Sequence, residues 1–169
     1  AIASFVARDI TSAGFGYNRG DELIVHFDRA TDRAAQAPTK ANLPACGGLH
    51  NCGLPPSGTK EFVDQLLLFS HSLGDAYSGA WEDASTFVVT VSDTSTSYGI
   101  AIGATAVAAK RCPLSSVKGV STTALCADIR NAAGSSEPSE SSAVLSGSFG
   151  SPRAPRLTSF TAIDPDEGD

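Results

Sequence analysis

Charge is scarce in this chain. Asp, Glu, Lys and Arg make up 18% of its 169 residues, below the roughly 25% of an average soluble domain. The twelve Lys and Arg are scattered and the net charge is −6. Nucleic acid binding wants basic residues clustered on one surface, so that class is excluded. Long apolar runs are absent as well. No stretch approaches the roughly 20 residues that a membrane-crossing helix needs, so no membrane insertion is expected. No basic opening followed by an apolar segment marks a signal peptide; for an exported protein the signal is expected upstream of Ala1.

Catalytic signatures are missing in the same way. The nucleophile elbow needs Gly-x-Ser-x-Gly, and Ser146-Gly147-Ser148-Phe149-Gly150 starts with serine. His26, His50 and His71 stand in no motif that supplies a nucleophile or carboxylate partner, and no phosphate-cradling or dinucleotide-binding glycine pattern occurs. The expectation is a non-enzyme without a cofactor. Asn18, Asn42, Asn51 and Asn131 all fail the Asn-x-Ser/Thr sequon, which removes N-linked glycan.

Small residues take the place of charge: Ala, Ser, Thr and Gly fill the stretches between apolar segments. Four cysteines form two local groups, Cys46 with Cys52 and Cys112 with Cys126. Of the three possible pairings, proximity favours Cys46–Cys52 and Cys112–Cys126, and disulfides imply an oxidising compartment. Cys46, His50 and Cys52 lack the two-residue spacing of a zinc chelate, and the second group has no histidine, so no metal site is expected.

Self-similarity between the two ends is the main organisational signal. Ser4-Phe5-Val6-Ala7-Arg8-Asp9 returns 155 residues later as Ser159-Phe160-Thr161-Ala162-Ile163-Asp164, with four of six positions identical. A proline-punctuated linker, residues 151–157, precedes the second copy; proline holds such a segment extended. The expected organisation is one module over 1–150, the linker, and the opening strand of a further repeat, or an inter-subunit strand, over 158–169.

Between the ends the pattern has mostly period two. Leu23, Val25 and Phe27 alternate with Ile24, His26 and Asp28, after a turn at Tyr17 to Asp21. Thr86–Val91 reads as a second strand, Ala80-Trp81-Glu82 as its approach, and Ile102–Ala108 and Ala143–Ser146 as weaker strands. One helix is predicted over Lys60–Phe69, with Phe62, Leu66 and Phe69 on one face and Thr59 or Ser57 as cap. The long segments Ala34–Pro56 and Lys110–Cys126 each carry a cysteine pair that would fasten them. Together these features predict an all-β, immunoglobulin-like β-sandwich with one short inserted helix and two disulfide-fastened loops.

Two passages extend this reading. Tyr17 to Asp28, with Asn18, Gly20-Asp21 and alternation up to Phe27, resembles the opening of Ig-like repeats in large adhesins. Ala76-Tyr77-Ser78-Gly79-Ala80-Trp81 before the Phe87 strand resembles a later passage of those repeats. With Leu145–Gly150 and the linker into Ser159-Phe160, the pattern looks like the tandem repeats of algal and protist surface glycoproteins, including flagellar coat and mastigoneme-type filament proteins. The resemblance implies a structural module of an extracellular, glycosylated filament or coat, packed end to end with copies of itself. An adhesin or carbohydrate-binding module on a repetitive stalk is the alternative.

Several residues follow as candidates. Ser4, Phe5 and Ala7, with Ser159, Phe160 and Ala162 of the second copy, form an expected assembly strand with unpaired backbone edges. O-linked glycan is expected on Thr94, Ser95, Thr96 and Ser97 and on Ser135, Ser136, Ser139 and Ser141, since both stretches are polar and lack residues to bury. The algal resemblance adds hydroxylated, glycosylated proline at Pro56 and Pro138. Tyr77, Trp81 and Tyr98 would give sugar rings a platform, though core packing is the better reading of the lone Trp. Arg19-Gly20-Asp21 reads as a turn rather than a receptor motif. Asp164, Asp166, Glu167 and Asp169 read as a solvated acidic turn rather than a Ca²⁺ site, because only Asp9 matches them in the first copy.

Overall fold

Alternation of apolar and polar residues carries straight into the sheet. The computed structural model describes residues 1–10, 16–34, 58–111, 128–150 and 159. Seven strands and one helix occur among them: β1 (Ile2–Arg8), β2 (Glu22–Phe27), α1 (Lys60–Leu66), β3 (Leu67–Phe69), β4 (Ala76–Trp81), β5 (Thr86–Asp93), β6 (Ala106–Ala109) and β7 (Ser142–Ser148). They form one mixed sheet in the order β3-β6-β7-β1-β2-β5-β4. The β1–β7 pair is parallel and every other pair antiparallel. The sheet curls, bringing the Phe69 ring of edge strand β3 to 6.0 Å from that of Phe5 in β1.

Inside this curl lies a single core. Leu23 and Val25 of β2, Phe87, Val89 and Val91 of β5, and Phe5 of β1 are buried on its face. Ile2 and Phe5 are three residues apart, which in a regular strand puts them on opposite faces. A register shift between Ile2 and Ser4 returns both to the core. The helix adds Phe62, Val63 and Leu66, with the Phe62 and Phe87 ring centroids 6.1 Å apart. Burying each such side chain stabilises by about 1.5–3 kcal/mol relative to exposure.

Several expectations are corrected here. The helix ends at Leu66 rather than Phe69, because Leu67–Phe69 turns extended and pairs with Ala109–Val107 of β6. Thr59 is the N-cap, accepting a 3.2 Å bond from the Phe62 amide. The strand expected from Ile102 begins only at Ala106. The Ala101 amide donates to the Thr105 hydroxyl at 2.9 Å and the Thr105 amide to the Ala101 carbonyl at 3.0 Å, closing a turn in between. Strand β4 is longer than the expected approach at Ala80–Glu82. The four cysteines lie outside the described residues.

Most consequential is the place of β1. It pairs antiparallel with β2 from Ile2 to Arg8 and parallel with β7 from Phe5 to Arg8. The Ser146 hydroxyl donates to the Phe5 carbonyl at 2.9 Å, and the Ile2 amide donates to the Ser141 hydroxyl. Gly147 makes the approach to β7 possible. Its φ is +88°, and a Cβ there would stand 2.4 Å from the Ala7 carbonyl oxygen. Gly147→Ala is therefore expected to cost roughly 2–4 kcal/mol, from left-handed backbone strain plus overpacking against β1. Urea denaturation of the variant measures it.

Candidate assembly strand and surface sites

An assembly strand needs free backbone groups, and β1 has them neither toward β2 nor toward β7. Within this chain Phe5 is fully buried, Ala7 is 4% exposed and Ser4 is half-buried. The expectation of unpaired edges at Ser4–Arg8 is corrected for that reason: β1 is an interior strand. The sheet's edges are instead β3 and β4. Of the second copy, Ser159 is exposed, while Phe160 and Ala162 lie outside the described residues, as do the linker and the acids Asp164 to Asp169.

The proposed glycan acceptors sit in hydroxyl-rich turns that use their own side chains. Ser95 and Thr96 donate to the two oxygens of Asp75, at 2.9 and 2.6 Å, and the Ser97 hydroxyl donates to the Thr94 carbonyl at 2.8 Å. Asp93 accepts from the Ser95 amide at 2.8 Å, and hydrogen bonding from the Ser95 side chain first and its amide second holds the Asp93 carboxyl below the usual range. In the second stretch Ser135 is exposed and bonds Asn131, Ser136 bonds the Glu137 carbonyl, and Ser139 pairs with Ser141 at 3.0 Å. Pro138 is buried, so its ring is not presented to a modifying enzyme and the expectation there is corrected. Pro56 lies outside the described residues.

The three candidate aromatics do not share a surface. Trp81 packs edge-on to Phe87 at 5.0 Å and beside Phe27 at 5.5 Å, and Tyr77 is buried. Only Tyr98, 83% exposed, faces solvent. Core packing is thus the structural role of Trp81, as its position at a strand suggested. The Arg19-Gly20-Asp21 tripeptide forms a turn, with Gly20 at φ +95° and Asp21 fully buried. Its carboxylate faces inward, away from any receptor. His26 lies on the outer face with its Nδ1 3.3 Å from the Thr86 hydroxyl, and His71 contacts the Ser70 hydroxyl at 2.8 Å.

One polar cluster ties the helix to the sheet. Asp64 on α1 accepts from Lys60 at 2.7 Å and from the Tyr77 hydroxyl of β4, while its backbone carbonyl accepts from Lys110 at 2.9 Å. The Lys60 ammonium also sits 4.6 Å from the Tyr77 ring centroid. Burial first, and the bond to Asp64 second, push the Tyr77 phenol up to about 12. This arrangement is a fastening for α1. Among the described residues no three His, Cys, Asp or Glu gather in metal-binding geometry, and no helix is long and apolar enough to cross a membrane.

Sequence reasoning passed over one group, Asp21. Its Oδ2 accepts from the Asn18 amide at 2.7 Å, but Oδ1 is buried without a partner. The signal was present as an acid one residue before an alternating strand; only the fold reveals that it is enclosed.

Comparison with known proteins finds no matching family model, no similar curated protein and no similar solved structure.

Tyr77 gives a pH test. Its phenol ionises near 10 when unfolded and near 12 when folded, so the neutral form is favoured in the native state. The resulting stability is present below pH 10 and lost as pH rises toward 12. Melting temperature should fall through that window, and Tyr77→Phe should flatten the fall while lowering neutral-pH stability by about 1 kcal/mol.

Proposed function

We propose that this chain is a structural module of an extracellular, glycosylated filament or surface coat, repeated end to end, and not an enzyme. The observation that carries the reading is the position of β1 together with its sequence echo. The segment that opens the chain is an interior strand of its sheet, and the same pattern recurs directly after the proline-bearing linker. A second module opening at residue 158 would need such a strand between its own β2 and β7. Phe160 would then be buried there as Phe5 is here. If the modules are separate chains, the same slot would receive Phe160 from a neighbour, a head-to-tail contact that propagates as a fibre.

Strand order supports an immunoglobulin-like sandwich as the building block. With strands lettered A to G in chain order, β1-β2-β5-β4 is A-B-E-D and β7-β6-β3 is G-F-C. These are the two sheets of that fold, here joined through the parallel A–G pair. Disulfides Cys46–Cys52 and Cys112–Cys126 belong to the same reading, as do glycans on the exposed serines and threonines. Ser95, Thr96 and Ser135 are the most open of these.

A chain of two tandem copies tests the proposal. Phe160→Asp should unfold the downstream module by removing its core strand, a loss of at least the roughly 3–5 kcal/mol of a Phe truncation. The upstream module should melt as before. Two unchanged transitions would refute the shared role of Phe5 and Phe160. Intact-mass measurement on native material should exceed the 17.3 kDa of the polypeptide; a bare mass would remove glycan from the account.

A further inference from the structure

Because β1 and β7 run parallel, the fold is entered at one pole and left at the other. Ile2 and Phe27 stand at the entry pole, Arg8 and Ser148 at the exit pole. The 155-residue offset of the sequence echo sets Leu157 at the place of Ile2. Only residues 151–156 separate it from Gly150, a reach of roughly 25 Å at most. Modules repeated at this offset hold the exit pole of one close to the entry pole of the next.

The exit pole presents apolar side chains. Five large ones are exposed among the described residues, and three of these, Ile10, Tyr98 and Ile102, lie there. A chain of contacts ties Tyr98 to the end of β7. Phe149 packs edge-on to Tyr17 at 5.2 Å, and the Tyr17 hydroxyl donates to the Leu73 carbonyl at 2.7 Å. The Tyr98 amide donates to the adjoining Ser72 carbonyl at 3.3 Å. Tyr98 is 83% exposed, yet the turn before it is fastened, with Ser95 and Thr96 held by Asp75. A rigid aromatic on a fastened turn loses little further freedom on docking.

The entry pole presents a pocket of about 260 Å³, lined by buried Phe27, Ile129 and Pro138 and rimmed by Arg29, Arg130 and Glu137. A cavity of about 150 Å³ already accepts a benzene ring. Arg29, with 69% of its side chain exposed, can lie over an aromatic face. We propose that Tyr98 of one module seats in the entry-pole pocket of the next. A knob and a pocket at opposite poles make a heterologous contact, which propagates instead of closing. Its centre is an aromatic anchor in a pocket, the usual form of an interface hot spot. The inference rests on the end-to-end reading and adds to it the surfaces that join the modules.

Sedimentation of the unglycosylated 169-residue chain up to millimolar concentration, the range a short linker imposes, reads the contact. An open series of oligomers is expected. Tyr98→Ser and Arg29→Glu, both at exposed side chains, should each weaken association about tenfold or more while leaving the melting temperature unchanged. A mixture of the two variants should form dimers and stop there, since one intact knob then meets one intact pocket. A chain that stays monomeric, a closed dimer, or association untouched by both variants would overturn the proposal. In the last case, loss with Phe160→Asp would assign the association to strand exchange. Failure of this contact leaves the module reading standing, whereas a downstream copy that does not fold in the two-copy chain removes both.

Discussion

The parallel pairing of β1 with β7 is the contact on which the rest of this sheet depends. Without it β3-β6-β7 and β1-β2-β5-β4 are separate ribbons, and only α1 packs on the apolar face of the second. With it, one continuous sheet curls until Phe69 meets Phe5. The join is made by the ends of the described chain, since β1 opens the fold and β7 nearly closes it. Such a contact is entropically slow to form, because the loop between its partners is nearly the whole module. Its strength therefore comes from detail: the Phe5 ring fully buried, Ser146 and Ser141 bonding the β1 backbone, and a glycine at 147 that lets the two backbones approach.

This arrangement explains how much of the fold was legible in the sequence. Leu23-x-Val25-x-Phe27 and Phe87-x-Val89-x-Val91 are strands by pattern alone, since these residues line one fully buried face while Glu22, His26, Val88 and Thr90 on the other are only half-buried. The helix start was legible because Thr59 is a cap placed just ahead of Phe62. Its end was not: Leu67-Leu68-Phe69 continues an apolar run that suits a helix or a strand, and pairing with β6 decides the matter. Strand β7 was hardest to see. Only Leu145 in it is buried, so Ser142–Ser148 lacks a two-sided pattern and is a strand because β1 and β6 flank it.

The candidate sites divide along the same line. Phe5 and Ala7, expected in an assembly strand, are covered from within their own chain. The hydroxyl-rich turns were legible as surface, while the bonds of Ser95 and Thr96 to Asp75 were not, because an acceptor 20 residues away leaves no local mark. Asp21 was legible only as the end of the Arg19-Gly20-Asp21 turn. Its enclosure follows only from the fold.

Complementation by the missing strand tests the central claim most directly. A chain covering residues 9–150 lacks β1 and leaves the β2 and β7 edges open. It should show no cooperative thermal transition. Adding a peptide of residues 1–8 should restore one, and so should a peptide of residues 157–164, whose Phe160 takes the place of Phe5. A truncated chain that melts cooperatively on its own, at the temperature of the full chain, would contradict the account.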